Sequence, residues 1–477
     1  MKNLILNFKL LLIGLILLPA LLMAQNNEKK TYNLEQCIEI AFENNFFLQQ
    51  TKAQYIQSKE NFLQTKAMHL PSLNGNGNVA YNFGRRIDPF TNQFAESRVL
   101  SQNYSLSSNL NLFSGFSAIN NSKAASNDIK AVEKGLERSA NDLALNIAES
   151  YLQVLVNTEL YDFSKESLLI SRSQVERTKQ LYEAGRVARG DLLQSEAQLA
   201  NDELTMIQAK NTLELAYMNL AQAMGLADAE SFQVFKPDFS NQAVEMISSN
   251  AKMVYEKALE GQPVIKQAEF QLRSADYLFK SARGRRSPSI AMFGAIGTGY
   301  SELARRQIGT TTVNTFIGTI NGQDIFIDVP SPILEQTPFR DQLDQNFNRT
   351  IGFTLSIPIF NAFQTRNSIS SARINREIAR LQLEIEKQQL QRSVYSAYLE
   401  ARTSYERFLF SEKLQNANQE AFDYMQQRFD VGLVNAVEMN VIKNQMSRSA
   451  ADLIIAKYQF IMRTKVLDFY MGKTLKF

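Results

Sequence analysis

Two hydrophobic periods alternate along the chain, and the alternation occurs twice. In Ile351-Gly352-Phe353-Thr354-Leu355-Ser356-Ile357-Pro358-Ile359, apolar residues alternate with small or polar ones. Tyr104, Leu106, Ser108, Leu110 and Leu112 face away from Ser105, Ser107, Asn109 and Asn111 in the same manner. Period two predicts half-buried strands. Weaker segments rich in Gly and Asn, Leu73 to Phe83 and Ile290 to Tyr300, follow Pro71 and Pro288. Strands are therefore expected at about 72–84, 99–113, 289–300 and 349–360. The polar stretches between them, Gly84 to Arg98 and Ser301 to Asn348, differ in length, so the second should reach further out.

The other period is helical. Heptad-like apolar positions run without Pro from Ser117 to Gly185 and from Ala362 to Gly432. At the α-helical rise these are rods of ~100 Å. Returning helices, Ala188 to Met224 and Ala436 to Met471, measure ~55 Å, and short helices at about Leu34 to Lys66 and Ala251 to Ser281 measure ~50 Å. Two short helices stacked end to end match one rod, which predicts a four-rod bundle under a four-stranded sheet.

The recurrence is visible residue by residue. Phe113, Gly185, Asp191, Leu220, Met224 and Gly225 return at a constant offset as Phe360, Gly432, Glu438, Leu467, Met471 and Gly472. A repeat of this size is a structural unit. Residues 25–225 and 251–477 are read as its two copies, with a Pro237-containing connection at 226–250. Phe232, Val234, Phe235 and Phe239 predict that this connection packs at mid-length on the rods.

The first 24 residues read as an export signal: Lys2 and Lys9, the apolar run Leu10 to Leu18, then Ala24 as the cleavage residue. No other stretch is apolar enough for a membrane helix, so any further insertion must use strands. Four strands cannot close a barrel, and lipid does not tolerate an open edge. Three copies would supply 12 strands, an even number within the known range. Periodicity alone leaves a soluble sheet with one buried face open as well.

Composition removes most chemistry. The 477 residues include one Cys, one His and no Trp, and 51 basic against 48 acidic residues leave a formal charge of +3. No basic field exists for nucleic acid, and a single His cannot assemble a triad or a metal site. Cys37, in Leu34-Glu35-Gln36-Cys37-Ile38, reads as a buried apolar residue, and His69 as a surface or strand-start residue. Neither a metal nor another cofactor is expected, and the chain is read as no enzyme.

At this point the residues resemble a known family. Tyr32-Asn33-Leu34-Glu35-Gln36-Cys37-Ile38-Glu39-Ile40-Ala41-Phe42-Glu43-Asn44-Asn45 is similar to the opening motif of the outer membrane efflux proteins, the TolC-type channel-tunnels. Tyr182-Glu183-Ala184-Gly185-Arg186-Val187-Ala188-Arg189-Gly190-Asp191 resembles their helix-turn-helix motif, written again as Phe429-Asp430-Val431-Gly432-Leu433-Val434-Asn435-Ala436-Val437-Glu438. The resemblance implies a mixed α/β membrane protein. Its homotrimer would form a 12-stranded outer-membrane barrel continuous with a periplasmic coiled-coil tunnel. The implied partners are outer-membrane lipid, a periplasmic adaptor and an inner-membrane pump of RND or ABC type. The implied role is a passive duct for small molecules or polypeptides. An exported structural or adhesive coiled-coil protein is the alternative, which the twice-written tip and matched rod lengths weigh against.

The candidate pore entrance lies at the two tips. Gly185 and Gly432 end the rods, and Asp191 and Glu438 begin the returning helices, where negative charge is favourable. Helix-start stabilisation alone accounts for such acids. The resemblance adds a second role, pore-constricting carboxylates repeated around a trimer, which would attract cations and hold a metal ion weakly. It also implies a Tyr and an Arg of the second turn bonding across to the first repeat. The matching positions here are Phe429 and Val434, and a further acidic position is Val441, so this polar lock is absent. Closure would fall to packing of Phe429, or to Arg186 or Arg189 with acidic neighbours.

Overall fold

The protein is seen in a computed structural model that describes residues 30–88, 90–92, 94–95, 98–237, 250–320 and 322–473. The export segment 1–24 and Phe239 lie outside them. The chain divides into a helical unit, Met1–Ile56 with Lys130–Glu269 and Leu381–Phe477, and a sheet unit, Gln57–Ile129 with Phe270–Arg380.

Each expected short helix is two. The first consists of α1 (Leu34–Asn44) and α2 (Phe46–Ala67). Asn33 opens α1 with a reciprocal capping box to Gln36, its Oδ1 accepting from Gln36 N at 2.9 Å and its N–H donating to Gln36 Oε1 at 3.0 Å. Asn45 breaks the helix: its N–H donates to Ala41 O, closing α1, while its Oδ1 accepts from Leu48 N, opening α2. The second consists of α5 (Ala251–Gly261) and α6 (Pro263–Gly284). Here Pro263 starts the new helix and forces Gln262 into an extended conformation. The long helix α3 (Ser117–Glu183) returns as α4 (Arg189–Met224), and α8 (Gln364–Asp430) returns as α9 (Ala436–Tyr470).

Both returning helices end at one of these breaks. Asn45 Nδ2 donates to Ala223 O near the end of α4, and Gln262 Nε2 donates to Phe469 O near the end of α9. Gly225 caps α4 at φ +73°, and any side chain there would strike the backbone of Asn44. Around this level lies the main core: Ile147, Tyr151 and Leu155 of α3, Leu34 and Cys37 of α1, Leu220 and Met224 of α4, and Tyr458 of α9. Burial pushes the Cys37 thiol up to about 12, so it is an inert core residue. The connection between the halves joins this core. Its strand β6 (Phe232–Val234) pairs in parallel with β1 (Lys30–Tyr32), burying Phe232 against Tyr32 and Tyr217, whereas Phe235 is exposed.

The sheet unit is built on β2 (Ser72–Asn82), β5 (Val99–Ser114), β7 (Ser289–Ser301) and β10 (Asn348–Ser356), all antiparallel in the order β10-β7-β5-β2. The strands of the two halves meet at the β5–β7 pair. Register puts Leu73, Val79, Leu106, Ile290, Ile296, Ile351, Phe353 and Leu355 on one face, all exposed. Asn74, Asn76, Asn78, Asn103, Ser105, Asn109, Thr350 and Thr354 share the other. β10 stops at Ser356, short of the expected 360, because Pro358 has no N–H for a ladder.

The strand-to-rod turn is the same in both halves. Gly115 and Phe116 are left-handed before α3, and Ala362 and Phe363 before α8, with φ of +61°, +62°, +49° and +63°. In each turn the second aromatic packs edge-on against one three residues earlier, Phe116 on Phe113 and Phe363 on Phe360.

The two polar stretches are more structured than expected. The first holds a short pair, β3 (Arg86–Ile87) and β4 (Phe94–Ala95). The second holds a long hairpin, β8 (Arg305–Ile320) with β9 (Gln323–Gln336), and the helix α7 (Phe339–Gln345). The alternation Ile325, Ile327, Val329 is a strand signal, and reading the stretch as simply polar passed over it. Among the described residues no helix is long and apolar enough to cross a membrane.

Candidate functional site

Each rod ends in a glycine-closed turn. Gly185 at φ +71° lets Arg186 N donate back to Leu181 O at 2.9 Å, and Gly432 at φ +78° lets Leu433 N donate to Arg428 O at 2.9 Å. This is the Schellman closure, which a Cβ would strain. Arg186 stands exposed on the first turn.

The two acids are engaged by their own helices. Asp191 is the third residue of α4, and its Oδ2 accepts from Ala188 N at 3.2 Å. Glu438 holds the same place in α9, its N–H donating to Asn435 Oδ1 at 2.9 Å while its Oε1 accepts from Asn435 Nδ2 at 3.0 Å. Both carboxylates thus reach back to a helix start and complement its dipole; that of Asp191 accepts from a backbone N–H, while in α9 the backbone donor is met by Asn435 Oδ1. Asp191 is half-buried and Glu438 exposed.

Phe429 is 4 % exposed and belongs to the core of its own chain, packed with Phe422, Ala436, Met439 and Met446. Its ring joins the end of α8 to the start of α9. Val434 lies half-buried against the same cluster.

The side chains that tie the two tip hairpins together are ones the sequence reading passed over. On α3, Ser164, Ser167, Ser171, Gln174 and Thr178 occupy successive seam positions and are all buried. Lys443 of α9, fully buried, inserts its ammonium between α3 and α4: Nζ is 2.5 Å from Asp202 Oδ2, 3.2 Å from Ser167 O, and bonded to Ser171 Oγ. Ser171 Oγ donates to the same Asp202 oxygen at 2.5 Å, and Gln198 Nε2 to the other at 3.0 Å. Below them Gln174 Nε2 donates to Asn440 Oδ1 at 3.4 Å, which leaves Gln174 Oε1 and Asn440 Nδ2 buried without partners. Arg177 reaches Asp430 O, and Gln198 pairs with Asn444. None of these bridges involves Arg186, Asp191 or Glu438. The signal available in the sequence was the run of Ser, Gln and Thr where a heptad seam requires apolar residues.

Among the described residues no cluster of His, Cys, Asp and Glu is placed to hold a metal ion. What the arrangement offers is a pair of glycine-closed hairpin tips, each carrying one acid at a helix start.

Comparison with known proteins fits this geometry. The profile of the family described as outer membrane efflux protein matches twice, at residues 37–226 and 254–473. The outer membrane efflux protein BepC of Brucella suis is 20 % identical over 75 % of this chain and 67 % of its own length. The cation efflux system protein CusC of Escherichia coli O157:H7 is 26 % identical over 56 % of each chain. The crystal structure of the outer membrane protein VceC of Vibrio cholerae superposes with a TM-score of 0.73 at 14 % identity, over 93 % of this chain and 97 % of its own. The chain therefore belongs to the outer membrane efflux protein family of TolC-type channels, and it is a non-catalytic outer-membrane channel of tripartite efflux or secretion systems.

Proposed function

We propose that three copies of this chain close one 12-stranded barrel in the outer membrane, each contributing β2, β5, β7 and β10. The observation that carries this is the sheet itself. Among the described residues its order leaves the outer edges of β2 and β10 without a partner strand, and its apolar face, with Ile351 72 % and Phe353 68 % exposed, suits lipid rather than water. The polar face, lined by Asn and Ser, then surrounds the lumen. Residues 25–225 and 251–477 act as two related repeats around the connection 226–250, following the export signal 1–24; the double match to the family profile supports this division.

The tips at Gly185 and Gly432 form the periplasmic entrance, where an adaptor and an RND-type or ABC-type pump engage. Asp191 and Glu438, multiplied by three, give up to six carboxylates around that aperture, and Arg186 adds an exposed positive charge. Phe429 acts indirectly, by fixing the second tip from within. Cross-linking of membranes expressing the chain should trap a trimer, extracted by detergent from the outer-membrane fraction. Recovery as a monomer, or release from the periplasm without detergent, would defeat the proposal.

A further inference from the structure

The polar face of the sheet is not uniform. Over most of its length Asn74, Asn76, Asn78, Asn103 and Asn109 stand exposed. At one end the same face is covered, and Val99, Gly299 and Ser301 are buried there. The turn between β3 and β4 contributes to this cover, on Gly299 and Ser301. Phe90 lies on Gly299 with its ring in the space a Cβ would fill, so only glycine is accommodated beneath it.

Asp88 fastens this turn. It is fully buried, and its Oδ2 accepts from Ser301 Oγ at 2.6 Å. Its Oδ1 accepts from Phe90 N at 3.1 Å, Thr91 N at 2.9 Å and Thr91 Oγ1 at 3.0 Å. A carboxylate that accepts four hydrogen bonds with no exposed surface is an anchor. It ties the tip of the turn to the last residue of β7. The stretch Gly84 to Arg98 therefore does not simply project away from the sheet; part of it folds back over the polar face.

We propose that this turn is a fixed size filter at the outer mouth of the duct, with Asp88 as its positioning residue and Phe90 as the side chain that narrows the passage. The inference rests on the barrel reading, which makes the polar face the lumen wall and its covered end the external end. Three copies place three anchored turns around one opening. Small solutes pass between them, and large polymers do not.

The test is labelling on intact cells expressing the full-length chain with Asn76→Cys, a reporter on the open part of the polar face. The native Cys37 is buried and stays silent. A small charged thiol reagent should label the reporter, and a large polyethylene-glycol maleimide should not. Adding Phe90→Ala, or separately Asp88→Ala, should raise labelling by the large reagent by about an order of magnitude, with trimers still detected by cross-linking. Ser301→Ala removes only one hydrogen bond to the anchor, and should give a smaller rise if the Asp88 variant fails to assemble. Rapid labelling by the large reagent with Phe90 in place would overturn the filter and leave the barrel standing. Unchanged exclusion in assembled Phe90→Ala trimers would equally overturn it. Failure of even the small reagent to reach Asn76→Cys in assembled trimers would reject the lumen assignment, and the filter with it.

Discussion

Lys443 on α9 and Asp202 on α4 form an ion pair of 2.5 Å with side chains only 1 % and 12 % exposed, joining the two tip hairpins beside a row of buried Ser, Thr and Gln on α3. Burying two charges is costly, and here the cost is offset by Ser171, Gln198 and the Ser167 carbonyl, which satisfy the remaining donors and lone pairs. The pair is expected to specify how the hairpins fit together more than it stabilises them. Removing Asp202 alone, as Asp202→Ala, leaves an ammonium buried and should cost about 3–5 kcal/mol. Replacing both partners with apolar residues, Asp202→Leu with Lys443→Met, should restore most of that loss. Thermal unfolding of the purified protein distinguishes the two. Equal destabilisation by single and double variants would show that the charges are not the coupled element.

The anchor of the outer turn should respond to acid. Burial by itself pushes the Asp88 carboxyl up, but the donors Ser301, Thr91 and Phe90 outweigh it and hold the group below its ordinary range. A group depressed in the folded state contributes stability above its unfolded pKa, and loses it as pH falls through the folded value. The turn should stay fastened at neutral and mildly acidic pH and loosen only below about pH 4. In planar bilayers, acid should relieve the exclusion of large polyethylene glycols from the channel of the native protein. Asp88→Asn should be open already at neutral pH and insensitive to acid.

Phe429 separates a packing role from a gating role. It is buried among Phe422, Met439 and Met446 of its own chain, so Phe429→Ala should cost about 3–5 kcal/mol of local stability. Hydrogen exchange at 422–446 should accelerate. Any rise in resting conductance should follow from the loosened tip, and Phe429→Leu, which keeps most of the volume, should recover both. A conductance change with unaltered exchange would mean that the ring itself faces the passage.

These sites differ in how visible they were in the chain. Gly185, Gly432 and the long rods were legible because a Pro-free heptad pattern ending in glycine has few other structural solutions. The breaks at Asn45 and Gln262 were not read, although Pro263 and the Asn44-Asn45 pair signalled them, because apolar periodicity carries across both. The turn pairs Gly115-Phe116 and Ala362-Phe363 show why a repeat helps: alanine in a left-handed turn is unexpected alone, and intelligible beside its glycine counterpart. Lys443 and Asp202 are far apart in sequence, and nothing local identifies them as partners. Asp88 was hidden for the same reason, since it lies in a turn and its defining neighbour, Ser301, ends a strand far along the chain.

Asp191 and Glu438 carry the prediction that decides what the tips do. Each carboxylate is held by a helix start, at Ala188 N and at Asn435, and this local bonding fixes where its charge stands. In a trimer the charges of six such groups reinforce one another at a narrow aperture, favouring cations over anions. Asp191→Asn and Glu438→Gln keep size and an accepting oxygen, so the helix starts should survive with a loss of about 1 kcal/mol or less. Cation-over-anion selectivity in planar bilayers should nevertheless fall, and block by multivalent cations should weaken, most in the double variant. The stabilising role and the conducting role thus separate in one experiment. If correctly assembled trimers of the double variant lost stability but kept their selectivity and cation block, both acids would be helix-start residues only.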